Sequence, residues 1–184
     1  MFNYFSASIL LLIIILLPVK AEDITINHIG PDMNQPWGMD FISKNEVIVT
    51  EKSGNIFRIN INNGEYIKVS NTPNISSVMQ GGLLDVIFDD YSVYLCYSKD
   101  TSNGTITAID SAILSDDKLI NLKTIFESNT SGWTDVHFGC RLEINNRKLH
   151  ATLGDRGNRY NAQDAEKHGG SVIRLNLDGS IPKD

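Results

Sequence analysis

The sequence predicts an all-β fold of the β-propeller type, and three observations lead there. From Asp23 onward no helical period is visible; short runs of β-branched, aromatic and aliphatic residues alternate with Asn, Asp, Gly and Ser. Three stretches, Trp37 to Thr50, Leu83 to Cys96 and Gly139 to Thr152, repeat one pattern of strand, four-residue polar turn and strand. Each is followed by a Gly-marked turn and further strand-like segments, giving units of about 45 residues, the size of a four-stranded blade.

The elements fall in order. Val47, Val93 and Leu149 occupy the same place in the three hairpins, at spacings of 46 and 56 residues. Third strands are expected at Asn55 to Asn60, Thr105 to Asp110 and Ser171 to Asn176, and fourth strands at Glu65 to Val69 and Leu119 to Glu127. Two blades are therefore complete and a third lacks its outer strand. Asp23 to Ile29 reads as a strand without a hairpin partner, of the kind that completes the final blade of a closed propeller. A two-sheet sandwich with coincidental spacing is the alternative; the in-register hairpins favour the propeller. Propellers close with roughly 4–8 blades, so about two and a half to three blades in 184 residues read as the N-terminal part of a larger domain, residues 22–184. Open sheet edges on both sides point the same way.

Residues 1–21 are a different material. Ile9 to Leu17 is unbroken aliphatic sequence followed by Pro18-Val19-Lys20-Ala21. The apolar stretch is shorter than the ~20 residues a membrane-spanning helix needs, and Val19 and Ala21 suit the −3 and −1 positions of a signal-peptidase site. A cleaved signal peptide is expected, with an uncleaved anchor as the alternative; either sends the rest of the chain out of the cytoplasm, to a periplasmic or secreted location. Without Lys20 the formal charge moves from −6 to −7, and with no basic cluster nucleic acid is not an expected partner. Cys96 and Cys140 are the only cysteines. An oxidising compartment permits a bridge between them, and two buried thiols are the other reading.

Hairpin geometry brings chemistry together. With the third turn centred on Asn146, positions summing to 292 lie opposite each other, so His137 faces Asp155 at the open end of the hairpin. Gln80 lies at the equivalent end of the second hairpin, and consecutive blades present equivalent ends on one rim. The long polar loop 155–170, with Arg156, Arg159, Tyr160 and Asp164, belongs to the same face. A carboxylate bonded to one imidazole nitrogen leaves the other free to take a proton; a structural turn contact is the bland reading of the same pair.

Other features carry less. Gly81-Gly82 is no phosphate loop, since no helix follows. His150 alternates outward on its strand and is expected to face solvent. His28 and His168 lack ligand-like spacing, and no metal-ligand set is expected in these residues. Asp89-Asp90 and Asp116-Asp117 fit turns better than calcium loops.

Several motifs then stand in one order: Gln35-Pro-Trp-Gly38, Val49-Thr-Glu51, Gln80-Gly-Gly-Leu-Leu-Asp85, Val136-His-Phe-Gly-Cys-Arg-Leu142, Leu153-Gly-Asp-Arg-Gly157, Ala162-Gln-Asp164 and Val172-Ile-Arg-Leu-Asn-Leu-Asp-Gly-Ser-Ile-Pro182. From about Asn34 to Asp184 the chain resembles the glucose/sorbosone dehydrogenase family of soluble aldose sugar dehydrogenases. The resemblance implies a six-bladed propeller, pyrroloquinoline quinone (PQQ) and calcium, an aldose substrate oxidised at its anomeric carbon to a lactone, and an external electron acceptor. It places His137 as the catalytic base, Asp155 as the carboxylate that orients it, and Gln80 in the sugar site. Cys140 stands where the family usually has Gly, and Ser171 where Lys usually follows the Gly. The family's Gly-His-Arg-Asn-x-Gln-Gly motif, its cofactor-contacting basic residues and its calcium ligands lie beyond Asp184, so binding of the quinone by this chain alone is not expected. A secreted, non-catalytic propeller-derived binding module is the alternative reading; the His137, Asp155 and Gln80 trio favours the enzyme.

Overall fold

The computed structural model describes residues 24–184, and the expected signal peptide lies outside them. Among the described residues eleven strands form three antiparallel sheets in chain order. The first holds β1 (Pro36–Ser43), β2 (Glu46–Glu51), β3 (Ile56–Asn60) and β4 (Tyr66–Val69). The second holds β5 (Leu83–Asp89), β6 (Ser92–Thr101), β7 (Gly104–Ser115) and β8 (Lys118–Glu127). The third holds β9 (Gly139–Asn145), β10 (Lys148–Leu153) and β11 (Val172–Asn176). A 3₁₀ turn, Arg159–Gln163, interrupts the β10–β11 connection. This is the predicted series of two four-stranded blades and a three-stranded one.

The turns are tighter than the sequence suggested. Ser43 pairs with Glu46, Asp89 with Ser92 and Asn145 with Lys148, so two residues, not four, close each hairpin. In the second and third hairpins both loop residues have positive φ: 44° and 71° at Asp90 and Tyr91, 49° and 57° at Asn146 and Arg147. Turns of that hand follow the right-handed twist of the flanking strands, and Asn and Asp tolerate them well. The strands accordingly run further toward the turn than the polar residues implied. The segment expected to form a strand at Asp23 to Ile29 does not: its described residues, 24–29, pair with nothing, and Ile24 and Ile26 are about 90% exposed. Apolar alternation favours an extended chain, but a strand also needs a ladder to join.

Period-two alternation explains how the sheets stack. On β6, Val93, Leu95 and Tyr97 pack toward the first sheet with Ile48, Ile56 and Val69. The intervening Tyr94 and Cys96 pack toward the third sheet with Phe138, Leu142, Leu149 and Ala151. The middle sheet is thus apolar on both faces, which its near-continuous hydrophobic runs require. Leu83 and Leu95 are fully buried, each worth about 1.5–3 kcal/mol relative to exposure.

The first strands of successive sheets, β1, β5 and β9, lie beside one another at the place of a propeller's inner strands. Gly38 allows β1 to approach, because a Cβ there would stand 2.9 Å from the Asp85 Cα. Carboxylates then staple the inner strands: Asp40 Oδ2 accepts from the Phe88 amide at 2.7 Å, and Asp85 Oδ2 from the Leu142 amide at 2.6 Å. Arg141 donates to the other Asp85 oxygen at 2.7 Å. Burial nonetheless pushes the Asp85 carboxyl above its ordinary range, against the pull of the Leu142 amide and Arg141. Of the two readings of the cysteines, the structure has the bridge: Cys96 on β6 is bonded to Cys140 on β9, with Cα atoms 6.3 Å apart. The cysteine that departs from the usual family residue is therefore half of a tie between the second and third sheets.

Candidate active site

Three loops meet at the ends of the sheets opposite the hairpin turns. Gln80 lies just before β5, His137 just before β9 and Asp155 just after β10. His137 Nδ1 stands 2.8 Å from Asp155 Oδ1. The His137 amide donates to Gln80 Oε1 at 2.9 Å, and its carbonyl accepts from the Arg156 amide at 3.1 Å. The Gln80 amide in turn donates to the Asp135 carbonyl at 3.0 Å. The expected trio is in direct contact, with His137 at its centre.

The register that brings His137 to Asp155 differs in detail from the sequence argument. The turn is centred between Asn146 and Arg147, so Ile144 faces Leu149 and Leu142 faces Ala151. A bulge then sets Cys140 and Arg141 against the single residue Thr152, after which Gly139 faces Leu153. The bulge shifts the pairing by one residue and restores the expected alignment at the open end. Here the Arg141 amide turns to Thr152 Oγ1, at 2.9 Å, instead of to the ladder. Beyond the bulge the open end is closely packed. A Cβ on Gly154 would lie 1.9 Å from the His137 carbonyl oxygen, so only glycine fits opposite the histidine.

The pair is polarised in one direction. An ionised carboxylate only accepts, so Nδ1 carries the hydrogen and Nε2 is the acceptor. The His137 ring N–H, followed by the Gly157 amide at 2.9 Å, holds the Asp155 carboxyl below its ordinary range, with burial opposing them. Nε2 makes no hydrogen bond to any described residue, and the His137 side chain is 56% exposed. Gln80 is assigned similarly: with Oε1 facing the His137 N–H, its amide NH₂ makes no hydrogen bond to any described residue. The arrangement offers a proton acceptor, fixed in tautomer and orientation, with an amide donor beside it.

Not all of the polar loop 155–170 joins in. Asn161 donates to the Asp155 carbonyl at 2.9 Å, which was not foreseen and braces the carboxylate-bearing residue. Arg159 lies over the Tyr160 ring at 5.4 Å, and Asp164 accepts from the Glu166 amide. His168 Nδ1 accepts from the Asn129 amide at 3.0 Å, and burial lowers its pKa. His150, expected to face solvent, is instead half-buried between Glu143 and Arg174 on the flanking strands, with Nδ1 buried and unpartnered. On this central strand of three, the two flanking strands cover a residue that alternation alone turns outward. Arg156, a polar loop residue by sequence, is 3% exposed beneath His137. Its signal was the glycine on either side of the Asp155-Arg156 pair, which marks tight packing but not its direction. Among the described residues no cluster of three or more His, Cys, Asp or Glu is placed to hold a metal.

Known proteins share this architecture. The family model for glucose/sorbosone dehydrogenase matches residues 33–184. The chain is 30% identical over 171 residues to an aldose sugar dehydrogenase of Escherichia coli, a match covering 88% of this chain and 46% of that protein. It is 28% identical over 205 residues to quinoprotein glucose dehydrogenase B of Acinetobacter calcoaceticus, covering 90% and 42%. The crystal structure of the soluble aldose sugar dehydrogenase of E. coli in the apo-form superposes with a TM-score of 0.77 at 30% identity, over 82% of this chain and 46% of that one. The PQQ-bound form of an aldose sugar dehydrogenase from Streptomyces coelicolor shares the fold, with a TM-score of 0.75 at 22% identity over 86% and 49%. This chain thus spans about half the length of the curated relatives it matches. The family model spans nearly all of the described residues, and the chain belongs to the glucose/sorbosone dehydrogenase family.

Proposed function

We propose that this chain supplies the proton-accepting side of the active site in a quinoprotein that oxidises the anomeric carbon of aldose sugars to lactones. The observation that carries the reading is the exposed His137 imidazole, whose Nδ1 is held by Asp155 at 2.8 Å and whose Nε2 is open. In the reaction Nε2 takes the proton of the anomeric hydroxyl, and the imidazolium that forms is stabilised by the Asp155 carboxylate. Gln80 anchors the His137 backbone and turns its NH₂ toward the sugar hydroxyls. PQQ, when bound, supplies the two-electron acceptor for the hydride that leaves the same carbon.

Among the described residues, the groups around His137 fit the sugar side of such a site, and Arg141 and Arg156 are not free for the cofactor's three carboxylates. Arg156 is buried against neutral oxygens, and Arg141 is paired with Asp85. The cations and the calcium that hold the quinone are assigned to the remainder of the full-length protein, as is delivery of electrons to an external acceptor. A periplasmic or secreted location is part of the proposal; the Cys96–Cys140 bridge supports it, since such bonds persist in oxidising compartments. Among the described residues no helix is long and apolar enough to cross a membrane. The test is product analysis on the full-length protein loaded with PQQ and calcium. Aldonolactone formed in step with reduction of an artificial acceptor supports the reading; a loaded protein that binds aldoses without oxidising them would make it a binding module.

A further inference from the structure

Arg156 follows Asp155 in the chain and points the opposite way, under the loop 132–138 that carries His137. Its guanidinium donates to the Thr134 carbonyl and to Thr105 Oγ1, both at 2.6 Å, and to the Val136 carbonyl. It also stacks on Phe138, with Cζ 3.4 Å from the ring centroid. The Arg156 backbone completes the hold: its amide donates to the His137 carbonyl at 3.1 Å and its carbonyl accepts from Thr134 Oγ1 at 2.7 Å. One residue thus grips the chain on both sides of the histidine.

Two features separate this from an ordinary buried ion pair. None of the guanidinium's hydrogen-bond acceptors is a carboxylate, and Nε is buried without a partner. As a pure stability device a buried charge is poorly suited, because its desolvation is offset no better than by an apolar residue of similar volume. What the planar fork supplies is simultaneous, directional donation to several oxygens, which a single ammonium cannot reproduce. His137 also needs such a hold. Its φ is +53°, and a non-glycine residue keeps that conformation only where its surroundings fix it. The packing leaves little slack: a Cβ on Gly132 would lie 3.2 Å from the Arg156 Cβ, and one on Gly157 would lie 2.9 Å from Thr134 Oγ1.

We propose that Arg156 is a positioning residue for His137, its guanidinium fixing the loop 132–138 so that Nδ1 meets Asp155 while Nε2 faces outward. The inference rests on the reading of His137 as the base. Arg156→Lys keeps the charge and loses the fork; Thr105→Val removes one acceptor, along with the hydroxyl's own hydrogen bond to the Gly132 carbonyl, and leaves the arginine. In the full-length protein the readouts are the imidazole nitrogen shifts of His137, assigned by their loss in His137→Gln, and the split between kcat and KM. Arg156→Lys is expected to move the ring away from a pure Nδ1–H tautomer and to lower kcat on the order of 10²-fold, the scale for a catalytic group displaced by about 1 Å. The sugar KM should change little, since Arg156 is buried beneath the loop. Thr105→Val should act in the same direction with a smaller effect. Unchanged His137 nitrogen shifts in folded Arg156→Lys overturn the proposal, even if thermal stability falls. Should that variant not fold, unchanged shifts in Thr105→Val overturn it equally. If His137→Ala still oxidises sugar, the base reading fails by itself, and the tautomer readout continues to decide whether Arg156 orients the ring.

Discussion

His137 and Asp155 are 18 residues apart in sequence and 2.8 Å apart at Nδ1 and Oδ1, one on each side of the third hairpin's open end. Neither side chain comes from a helix or from the middle of a strand. The pairing depends on a two-residue turn at one end of the hairpin and a single bulge at the other, so the site is a consequence of register. Gln80 then fixes the histidine backbone from the neighbouring blade.

Asp155→Asn should slow sugar oxidation by the full-length enzyme more than ~10-fold, because the imidazole loses the anion that fixes its tautomer. Asp155 has its pKa depressed on folding. Its contribution to loop stability is therefore present above the unfolded value of about 3.9 and lost as pH falls through the lower folded value. The Gly157 amide, which donates to Asp155 Oδ1, reports this by NMR. Its proton shift should titrate with a midpoint below that of an ordinary aspartate, and the titration should vanish in Asp155→Asn. A midpoint at or above the ordinary value would show that the carboxylate is not held as described.

The Cys96–Cys140 bridge closes a span of 44 residues. Chain-entropy arguments give a loop of that size about 4 kcal/mol of stabilisation. Replacing both cysteines with alanine should lower the urea midpoint accordingly, and reductant should then have no further effect. Equal midpoints for the two proteins, with and without reductant, would mean the second and third sheets hold together without the covalent tie.

Gly154→Ala should damage the site more than its size suggests. The added methyl would fall 1.9 Å from the His137 carbonyl oxygen, and moving the Gly154 backbone away strains its amide hydrogen bond to the Phe138 carbonyl. Oxidation should fall by at least the ~10²-fold expected for a 1 Å displacement. Wild-type rates in a folded Gly154→Ala protein would contradict the described packing.

Much of this was legible in the sequence, and the reasons differ by element. The hairpins were readable because Val47, Val93 and Leu149 sit in register among alternating apolar residues, and because Asp90 and Asn146 mark turns. The His137–Asp155 pairing was reached with the turn placed half a residue early, an error that the Cys140–Arg141 bulge cancels. Bulges leave little trace in composition, so that agreement owes something to the bulge itself. Tertiary context decided the rest. Residues 24–29 have strand-like alternation and no ladder, and His150 turns outward on a strand whose two neighbours cover it. Arg156 lies in a polar loop yet is buried, and residue type alone argues the reverse.

In the proposed reaction His137 Nε2 accepts the proton of the anomeric hydroxyl. The most direct test is His137→Ala in the full-length, PQQ-loaded protein, followed by sugar oxidation and by cofactor titration in parallel. A loss of at least the ~10²–10⁴-fold usual for general-base catalysis is expected, with PQQ affinity largely retained because His137 is not among the groups assigned to hold its carboxylates. An unchanged oxidation rate with bound cofactor would contradict it and leave the His137–Asp155 contact a structural clasp.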